Sequence, residues 1–362
     1  MDMARLYQPD NILLWRNVAD HPEAQRILTL FPDAQVEVIE KQKLSASSIH
    51  SVSEFMLPNK KVLMIGETQS FVNHFSGGLG SSVHCCPYYK LVPVSNGCPY
   101  SCSYCYLAYI YCTHSPFIKI NLNTDTMVKQ IRKALTNTNR RIHFNMGEML
   151  DSLALDHITH LIPMVIPFFE DFPYAYLMLL TKSANIKNLL TVPPHPQVVL
   201  SWSLNSQTMI DSHEHGTASL AERIDAARTC QHYGYRIRYR IDPGILYPDW
   251  KAGYAQLIEQ ALTDTQPENI TLGMLRLLPG HIPFIQKTYP NHDFSKKILT
   301  EKASDGKLRF PALRRIEFYR FLIDTIRSFD SQVSISLCRE TPPVWQALKS
   351  LATPSQCNCL TW

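Results

Sequence analysis

Residues 97–107 read GCPYSCSYCYL, and within this stretch Cys98, Cys102 and Cys105 have the spacing CxxxCxxC. Cysteine thiolates hold iron–sulfur clusters, and the spacing of such a run is typical of the cluster type. Three thiolates from one short loop can bind three irons of a [4Fe–4S] cube and leave the fourth iron open to a small molecule. A zinc site more often uses paired CxxC knuckles that supply four ligands. The stretch therefore predicts a cluster with one open iron, and a zinc loop or three unrelated thiols are the alternatives.

The composition is that of a globular protein. A chain of 362 residues is long enough for one large α/β domain and a smaller one. No apolar run approaches the roughly 20 residues of a membrane span, and the N-terminus lacks the apolar segment of a secretory signal. We therefore expect a cytoplasmic protein without a membrane partner, in which the ten cysteines indicate metal or redox chemistry more than disulfides. The net charge of +4 does not call for nucleic-acid binding.

The pattern of apolar segments predicts an α/β fold. Short apolar stretches bounded by turn residues alternate with helical patterns from about residue 89, which implies a parallel sheet covered by helices. About six such units predict a partial (β/α)6 TIM-like barrel over residues 86–337, with a small N-terminal α/β lead-in (1–85) and a C-terminal cysteine-containing tail (338–362). The cysteine loop follows the first predicted strand, and the active sites of barrels lie at the carboxyl ends of strands. Predicted strands are 90–94, 141–146, 176–181, 197–203, 236–241, 269–277 and 332–337; residues 156–168 are one predicted helix, and 292–308 is predicted to be an exposed insertion.

The cysteine loop resembles that of the radical S-adenosylmethionine (SAM) superfamily, in which the open iron binds the amino and carboxylate groups of SAM. The resemblance implies a [4Fe–4S] cluster and SAM as cofactors, and an external one-electron donor such as flavodoxin or ferredoxin. The usual product of SAM cleavage in this superfamily is a 5′-deoxyadenosyl radical. The cofactors then carry out the chemistry, while the protein binds and orients the reactants and excludes water. The second predicted strand ends in HFNMGEML (143–150), where Gly147 and Glu148 match two of three positions of the superfamily's Gly-Gly-Glu element.

A closer resemblance is to the spore photoproduct lyase family, radical SAM enzymes that repair a thymine dimer in DNA. It runs from about residue 92 to 289 and rests on the cysteine loop, DSLALDHITH, LLTKSANI, SWSLNSQTM, HEHGTASLAERIDAA and GYRIRYRIDPGILYPDW, in this order. In that family a lysine and a Ser-x-Asn strand face SAM, which implies that Lys182, Ser203 and Asn205 contact SAM. Tyr104, within the loop, is included among the predicted SAM contacts.

The chain departs from the lyases at two positions. Glu148 stands where the lyases have a cysteine that returns a hydrogen atom to the thymine radical, and a carboxylic acid cannot replace it because its O–H bond is too strong. Phe310, in the stretch GKLRF, stands where the lyases have a tyrosine that relays the radical. Both departures argue against thymine-dimer reversal.

The chain also has an addition, since Cys338 follows the last predicted strand and Cys357 and Cys359 form a CNC tail. Three thiolates suit a soft centre. The candidates are a second Fe–S cluster, zinc or a thiophilic substrate such as trivalent arsenic, and the alternative is a set of core thiols. The tail is similar in kind to cysteine clusters of radical SAM proteins that are thought to alkylate arsenite. Adjacent cysteines such as Cys85 and Cys86 seldom share one ion, and Cys112 and Cys230 are assigned to the core.

We therefore predict a radical SAM enzyme, of lyase or transferase type, that acts on a small-molecule or thiophilic substrate such as arsenite. Glu148, Cys338, Cys357 and Cys359 are its predicted catalytic residues. Lyase-like repair of a DNA lesion is the first alternative, and a non-catalytic Fe–S binding or redox-sensing protein is the second. A solvated surface is preferred to a phosphate-binding role for the basic residues Lys296, Lys297, Lys302, Lys307, Arg309, Arg314 and Arg315.

Overall fold

The computed structural model of the chain describes residues 6–40, 60–78, 81–111, 117–136, 141–290 and 298–360. Predictions that fall on other residues, among them Cys112, Lys296 and Lys297, lie outside these ranges. The described strands are β1 (Asn11–Trp15), β2 (Gln35–Ile39), β3 (Val62–Gly66), β4 (Val72–Phe75), β5 (Tyr88–Leu91), β6 (Val94–Ser95), β7 (Ser101–Cys102), β8 (Ile118–Asn121), β9 (Ile142–Asn145), β10 (Ala175–Thr181), β11 (Val198–Ser203), β12 (Glu214–His215), β13 (Arg236–Gly244), β14 (Asn269–Met274), β15 (Arg276–Leu277), β16 (Glu301–Lys302), β17 (Leu308–Arg309) and β18 (Ser334–Leu337).

Helices cover and connect these strands. Among the described helices, none combines the length and the apolar content that crossing a bilayer requires. The α-helices are α1 (Pro22–Leu30), α2 (Tyr106–Tyr111), α3 (Thr124–Leu135), α4 (Asp156–Thr159), α5 (Leu161–Phe168), α6 (Gln207–His213), α7 (Leu220–Tyr233), α8 (Trp250–Thr263), α9 (His281–Thr288), α10 (Ala312–Phe329) and α11 (Pro342–Leu348).

The main sheet has eight strands in the order β18-β14-β13-β11-β10-β9-β5-β4. Its pairs are parallel except for β4–β5, which is antiparallel. Central strands such as β11 are buried along their whole length, as expected for a parallel sheet covered by helices. The predicted α/β class with a parallel sheet is therefore confirmed, and in the described ranges the sheet is open, with β4 and β18 at its edges.

A second sheet, in the order β2-β1-β3-β8-β6, contains three strands of the predicted lead-in, β1, β2 and β3. Two of its strands, β6 and β8, come from beyond residue 85, while β4 from the lead-in joins the main sheet. The two sheets thus exchange strands across the predicted boundary, and the division at residue 85 stays a prediction.

Several predicted elements are divided in the structure. The predicted strand 90–94 becomes β5 and β6, because Pro93 lies between them and cannot donate to a ladder. The predicted helix 156–168 becomes α4 and α5, since His160 has a left-handed φ of 48°. The described part of the predicted insertion, 298–308, forms the small hairpin of β16 and β17, which pairs with β15.

Helix α7 shows how local sequence fixes the connection between β11 and β13. Ser219 accepts a hydrogen bond from the Glu222 amide, and the Glu222 side chain accepts one from the Ser219 amide, so the helix begins with a capping box. It ends at Gly234, whose φ of 112° suits glycine alone. This connection brings β11 and β13 side by side, with their carboxyl ends at one edge of the sheet.

Candidate active site

A cavity of about 360 Å³ opens at the carboxyl ends of the main-sheet strands. Its wall combines the cysteine loop with the ends of β9, β10, β11 and β13. Asn205 alone among the predicted SAM contacts is absent from the wall; it is buried, and its side chain donates to the Pro243 carbonyl at 3.0 Å. The predicted residues that do line the cavity are Cys98, Cys102, Cys105, Tyr104, Gly147, Glu148, Lys182 and Ser203.

The cysteine loop is held by backbone contacts on both sides. Strand β7 pairs with β12 in an antiparallel bridge that sets Cys102 opposite Glu214. The Ser103 amide donates to the His213 carbonyl at 2.9 Å, and Lys60 donates to the Tyr100 carbonyl. Helix α2 begins directly after Cys105, and the Ala108 amide donates to the Cys105 sulfur at 3.4 Å. The loop therefore presents its thiols from a fixed frame.

The donor chemistry of the loop fits an iron–sulfur cluster. Burial raises the pKa of the Cys98 thiol to about 12 despite the nearby Lys60 ammonium, and burial also raises the pKa of Cys102. Buried thiols of this kind become thiolates when a metal binds them. Within the described ranges, no three His, Cys, Asp or Glu side chains are placed to share one metal ion. A cubane needs sulfur atoms that are farther apart than the ligands of a single ion, since each protein thiolate binds a different iron.

One buried charge network fixes the lysine at the cavity wall. Lys182 Nζ lies 2.7 Å from Glu214 Oε1 and 2.9 Å from the Tyr104 hydroxyl, which itself donates to Glu214. The fully buried Arg223 pairs with the other Glu214 oxygen at 2.6 Å. Burial alone would raise the pKa of Glu214, but Arg223 and Lys182 lower it to about 2. Glu214 is therefore an anion that positions Lys182 and Tyr104.

Glu214 is a site residue that the sequence patterns did not identify, although it lies in the matched stretch HEHGTASLAERIDAA. The residue that caps α7 is Ser219. The signal that could have identified Glu214 is its place before the capping box, which leaves its carboxylate without a local role.

A second network surrounds Glu148. Arg240 donates to Glu148 at 3.0 Å and to Asp242 at 3.0 Å, and Arg276 donates to Asp242 at 2.8 Å. Burial would raise the pKa of Glu148, but Arg240 and Arg339 lower it below its usual range. The residue at the predicted hydrogen-donor position is thus a carboxylate paired with arginine. The arginines were also missed, although RIRYRID (236–242) places an arginine at every second strand position, on one face.

Cations outnumber acids on the cavity wall. The wall has six basic side chains and three acidic ones, Glu148, Asp151 and Asp242. Aromatic rings of this wall lie next to its cations: Lys307 Nζ is 4.7 Å from the Tyr106 ring centroid, Lys90 Nζ is 5.0 Å from the Phe75 centroid, and Lys182 Nζ is 5.4 Å from the Tyr104 centroid. The basic residues of the wall are Lys90, Lys182, Arg240, Arg276, Lys307 and Arg339.

The predicted basic surface is not one surface in the described ranges. Arg309 is buried and paired with Asp305, and Arg315 is buried between Glu301 and Glu340. Lys307 instead points to the cavity. The exposed Arg314 pairs with Glu317, as a solvated helix face requires.

Phe310 does not line the cavity, whereas Tyr106 does. Phe310 is only 4% exposed and packs in the core, away from the cavity wall, whereas Tyr106 is 42% exposed and lines the cavity. The signal for Tyr106 is its position directly after Cys105.

The tail cysteines meet the adjacent pair Cys85–Cys86 in a second, much smaller cavity of about 10 Å³, which we call the thiol pocket. Glu148, Arg240 and Arg339 belong to the walls of both cavities. The thiol pocket therefore adjoins the larger cavity. Cys230 is buried within α7, in the core. The thiol pocket is lined by Cys85, Cys86, Cys338, Cys357 and Cys359, with His84, Tyr88 and Leu337.

Hydrogen bonds connect the sulfurs of the thiol pocket. The thiols of Cys86 and Cys359 donate to Cys357, and these contacts lower the pKa of Cys357 well below its usual range. Arg240 donates to the Cys338 sulfur at 3.1 Å. The pocket therefore concentrates thiol chemistry next to a guanidinium that also holds Glu148.

Comparisons with known proteins agree with one family. The family model of spore photoproduct lyase matches residues 7–312. The chain is 23% identical over 337 residues to the spore photoproduct lyase of Clostridium acetobutylicum, covering 90% of this chain and 97% of that one. It is 28% identical over 170 residues to a Geobacillus spore photoproduct lyase, covering 47% of this chain and 50% of that one.

Solved structures show the same fold. A cysteine-to-alanine variant of spore photoproduct lyase with dinucleoside spore photoproduct superposes with a TM-score of 0.78 at 19% identity, covering 93% of this chain and 99% of that one. A double variant with bound AdoMet and dinucleoside spore photoproduct gives a TM-score of 0.76 at 19% identity, covering 92% and 99%.

Proposed function

Because this chain belongs to the spore photoproduct lyase family of radical SAM enzymes, we propose that it acts on a DNA lesion of the spore-photoproduct type. The observation that carries this proposal is the cavity wall, where the thiols of the cluster loop face a surface rich in cations and aromatic rings. The comparisons do not support the predicted small-molecule or arsenite substrate, and they favour the alternative of DNA repair.

The family's cofactors are a [4Fe–4S] cluster and SAM, and the cavity residues fit both. Cys98, Cys102 and Cys105 would hold three irons, and Lys182 and Ser203, at the ends of neighbouring strands, would contact SAM. Bound there, the two cofactors supply a radical that removes a hydrogen atom from a substrate carbon. Gly147 lets the end of β9 approach β10 closely, since a Cβ at this position would lie 2.3 Å from the Leu180 Cβ.

The rim of the larger cavity, formed by Phe75, Lys90, Tyr106 and Lys307, suits a nucleotide lesion. Lysine and arginine neutralise phosphates, and exposed aromatic rings stack on bases. Lys90 with Phe75 and Lys307 with Tyr106 offer this combination twice. The rim would thus hold the phosphodiester and a base of a dinucleotide unit while the cluster loop faces the reacting carbon.

The return of a hydrogen atom has to differ from that in the lyases. Two solved structures are a cysteine-to-alanine and a tyrosine-to-phenylalanine variant of spore photoproduct lyase. Their two substituted positions are separated by as many residues in the sequence as Tyr106 and Glu148 are in this chain. This spacing supports the alignment of Glu148 with the cysteine and aligns Tyr106 with the tyrosine. We therefore propose that hydrogen removal is retained here and that Glu148, a paired carboxylate, does not return the hydrogen atom.

The test is an anaerobic assay of the reconstituted, reduced protein with SAM and dinucleoside spore photoproduct. We expect 5′-deoxyadenosine to form, and the photoproduct to be consumed, only when both are present with the intact cluster loop. An undamaged thymidine dinucleotide is the matched control substrate. Equal 5′-deoxyadenosine with damaged and undamaged dinucleotide, without loss of the photoproduct, would contradict the proposal.

A thiophilic substrate is the second candidate, and the thiol pocket is the observation that favours it. Transfer of the aminocarboxypropyl group of SAM to arsenite leaves methylthioadenosine, whereas hydrogen removal leaves 5′-deoxyadenosine. The same assay with arsenite in place of the photoproduct therefore separates the two candidates. If neither nucleoside forms with either substrate, the chain is a non-catalytic Fe–S binding or redox-sensing protein.

A further inference from the structure

We propose that the thiol pocket binds one thiophilic ion at a site separate from the cysteine loop. The site does not depend on which substrate the larger cavity takes. Its candidate ligands come from three distant parts of the chain: Cys86, the buried member of the pair Cys85–Cys86, then Cys338 after β18, and Cys357 with Cys359 in the tail. Five thiols that gather from distant segments are more than a buried core needs, because an isolated structural thiol behaves as a small apolar side chain.

The size of the pocket selects a single ion. A free volume of about 10 Å³ corresponds to roughly one water-sized sphere. A cubane of four irons and four sulfides does not fit in such a space, while one metal or metalloid ion does. In the arrangement described, the pocket therefore favours one ion over the second iron–sulfur cluster that the tail sequence left open.

The surrounding groups favour a soft ion. Thiolates select soft and borderline ions, and an imidazole is an accepted further ligand. The His84 ring nitrogen lies 4.0 Å from the Cys86 sulfur. Cys338, Cys86 and Cys357 are buried, so an ion bound to them is shielded from water.

Binding would rearrange a hydrogen-bonded set of thiols. In the described structure no three side chains yet enclose a point at ligand distance. The sulfurs of Cys86 and Cys359 instead hydrogen-bond Cys357. An entering ion would replace the S–H···S contacts by metal–sulfur bonds, and the displaced protons would go to the solvent. No electron is transferred in this step.

The location of the ion links the two cavities. Arg240 donates both to Cys338 and to Glu148, and Glu148 lies on the wall of the larger cavity. Ion binding therefore adjusts the pairing of Arg240 and, through it, the orientation of Glu148. The ion therefore helps to position Glu148 on the wall of the larger cavity.

The experiment measures metal content and uptake in the anaerobically purified full-length protein. We expect four irons per chain and, in addition, one resident d10 cation such as zinc. If no such cation is resident, we expect the protein to take up one Zn²⁺ or one arsenite, and uptake of Zn²⁺ should release protons. A resident cation identifies a metal site, and uptake of arsenite without resident metal identifies a metalloid site. The double variant Cys357→Ser/Cys359→Ser should lose the second ion and keep four irons, while Cys230→Ser should keep both.

Alkylation of the wild-type protein is a second measurement, which tests the site even if the double variant misfolds. With Zn²⁺ or arsenite present, Cys338, Cys357 and Cys359 should be alkylated more slowly than in the ion-free protein. Eight irons per chain would overturn the proposal in favour of a second cluster. A disulfide within the set under anaerobic conditions, or the absence of any second ion and any uptake, would overturn it as well.

Discussion

The cysteine loop and the thiol pocket are two ways to gather sulfur in one protein. The loop takes three thiols from a single stretch, 98–105, and fixes them by a strand bridge and the start of a helix. The pocket takes five thiols from distant segments, of which Cys85 and Cys359 are 274 residues apart in the sequence. A local site is visible as a spacing, whereas an assembled site exists only after the sheet has brought its strand ends together.

The two regions share a wall, so a change in one can affect the other. Glu148, Arg240 and Arg339 separate the cavity of the loop from the thiol pocket. The same arginine side chain therefore contacts a carboxylate on one side and a thiol on the other. The following variants test whether the two regions act independently.

The largest effect is expected for Cys105→Ala in the loop. The cluster loses one of its three protein ligands, so we expect loss of iron and no formation of 5′-deoxyadenosine above background. The ion of the thiol pocket should remain. Iron and zinc analysis with product chromatography measures both, and Cys230→Ala, a core thiol outside both sites, is the matched control. Loss of both metals in Cys105→Ala would show that the two regions are not independent.

The next effect concerns Glu148→Cys, which places a thiol at the position that the lyases use. We expect the fraction of photoproduct repaired per 5′-deoxyadenosine to rise severalfold, because an S–H group can return a hydrogen atom and a carboxylate cannot. Glu148→Gln, which also removes the charge paired with Arg240, is the control and should not raise this fraction. An equal increase in both variants would mean that loss of the charge, and not the thiol, is responsible.

A smaller effect is expected on stability for Glu214→Gln. This change removes the anion between Lys182 and Arg223, and breaking a buried ion pair costs about 3–5 kcal/mol. Asp225→Asn, which breaks an exposed pair with Arg228, should cost only about 0–1 kcal/mol. Urea unfolding of the four proteins – wild type, each variant and the double variant – measures both. Equal costs for the two substitutions would show that the Glu214 network does not stabilise the fold.

The smallest effect is expected for Lys307→Gln at the cavity rim. If Lys307 contacts a phosphate, the slope of log affinity against log salt should fall by about one for a DNA duplex carrying the lesion. Lys251→Gln, on the exposed face of α8 beside Glu317, is the control and should leave the slope unchanged.

The same lysine predicts a pH dependence. Burial and the nearby Arg276 lower the pKa of Lys307 to about 8. Lys307 is therefore charged at pH 7 and becomes neutral as the pH rises through about 8. Binding of the lesion should weaken between pH 7 and 9 in the wild type and change less in Lys307→Gln. Parallel pH profiles for the two proteins would contradict the role of Lys307.

The sequence predicted the class of fold and the cluster ligands because both are encoded locally. The alternation of apolar strands and helical patterns predicts a parallel sheet, and the CxxxCxxC spacing predicts the loop. Positions at strand tips, such as Gly147, Lys182 and Ser203, followed from the resemblance, and these three line the cavity. Asn205 does not, because its amide is used by the buried contact to the Pro243 carbonyl.

The charged networks were not predictable in this way. Glu214 contacts Lys182 and Arg223 only because β12 pairs with the cysteine loop. Arg240 reaches Glu148 and Cys338 because β9, β13 and β18 end at the same edge of the sheet. Such contacts depend on strand order, and strand order has no local signature.

By itself, the sequence predicted that the three thiols of one loop are the cluster ligands, since they lie within eight residues directly after a strand and have the spacing of such a site. Only the tertiary structure decided that Cys85 and Cys86 meet Cys338 and the CNC tail, and that Glu148 is held as a carboxylate between them and the cavity. The physical reason is that spacing along the chain limits local geometry, whereas the packing of distant strand ends sets which buried charges and thiols become neighbours.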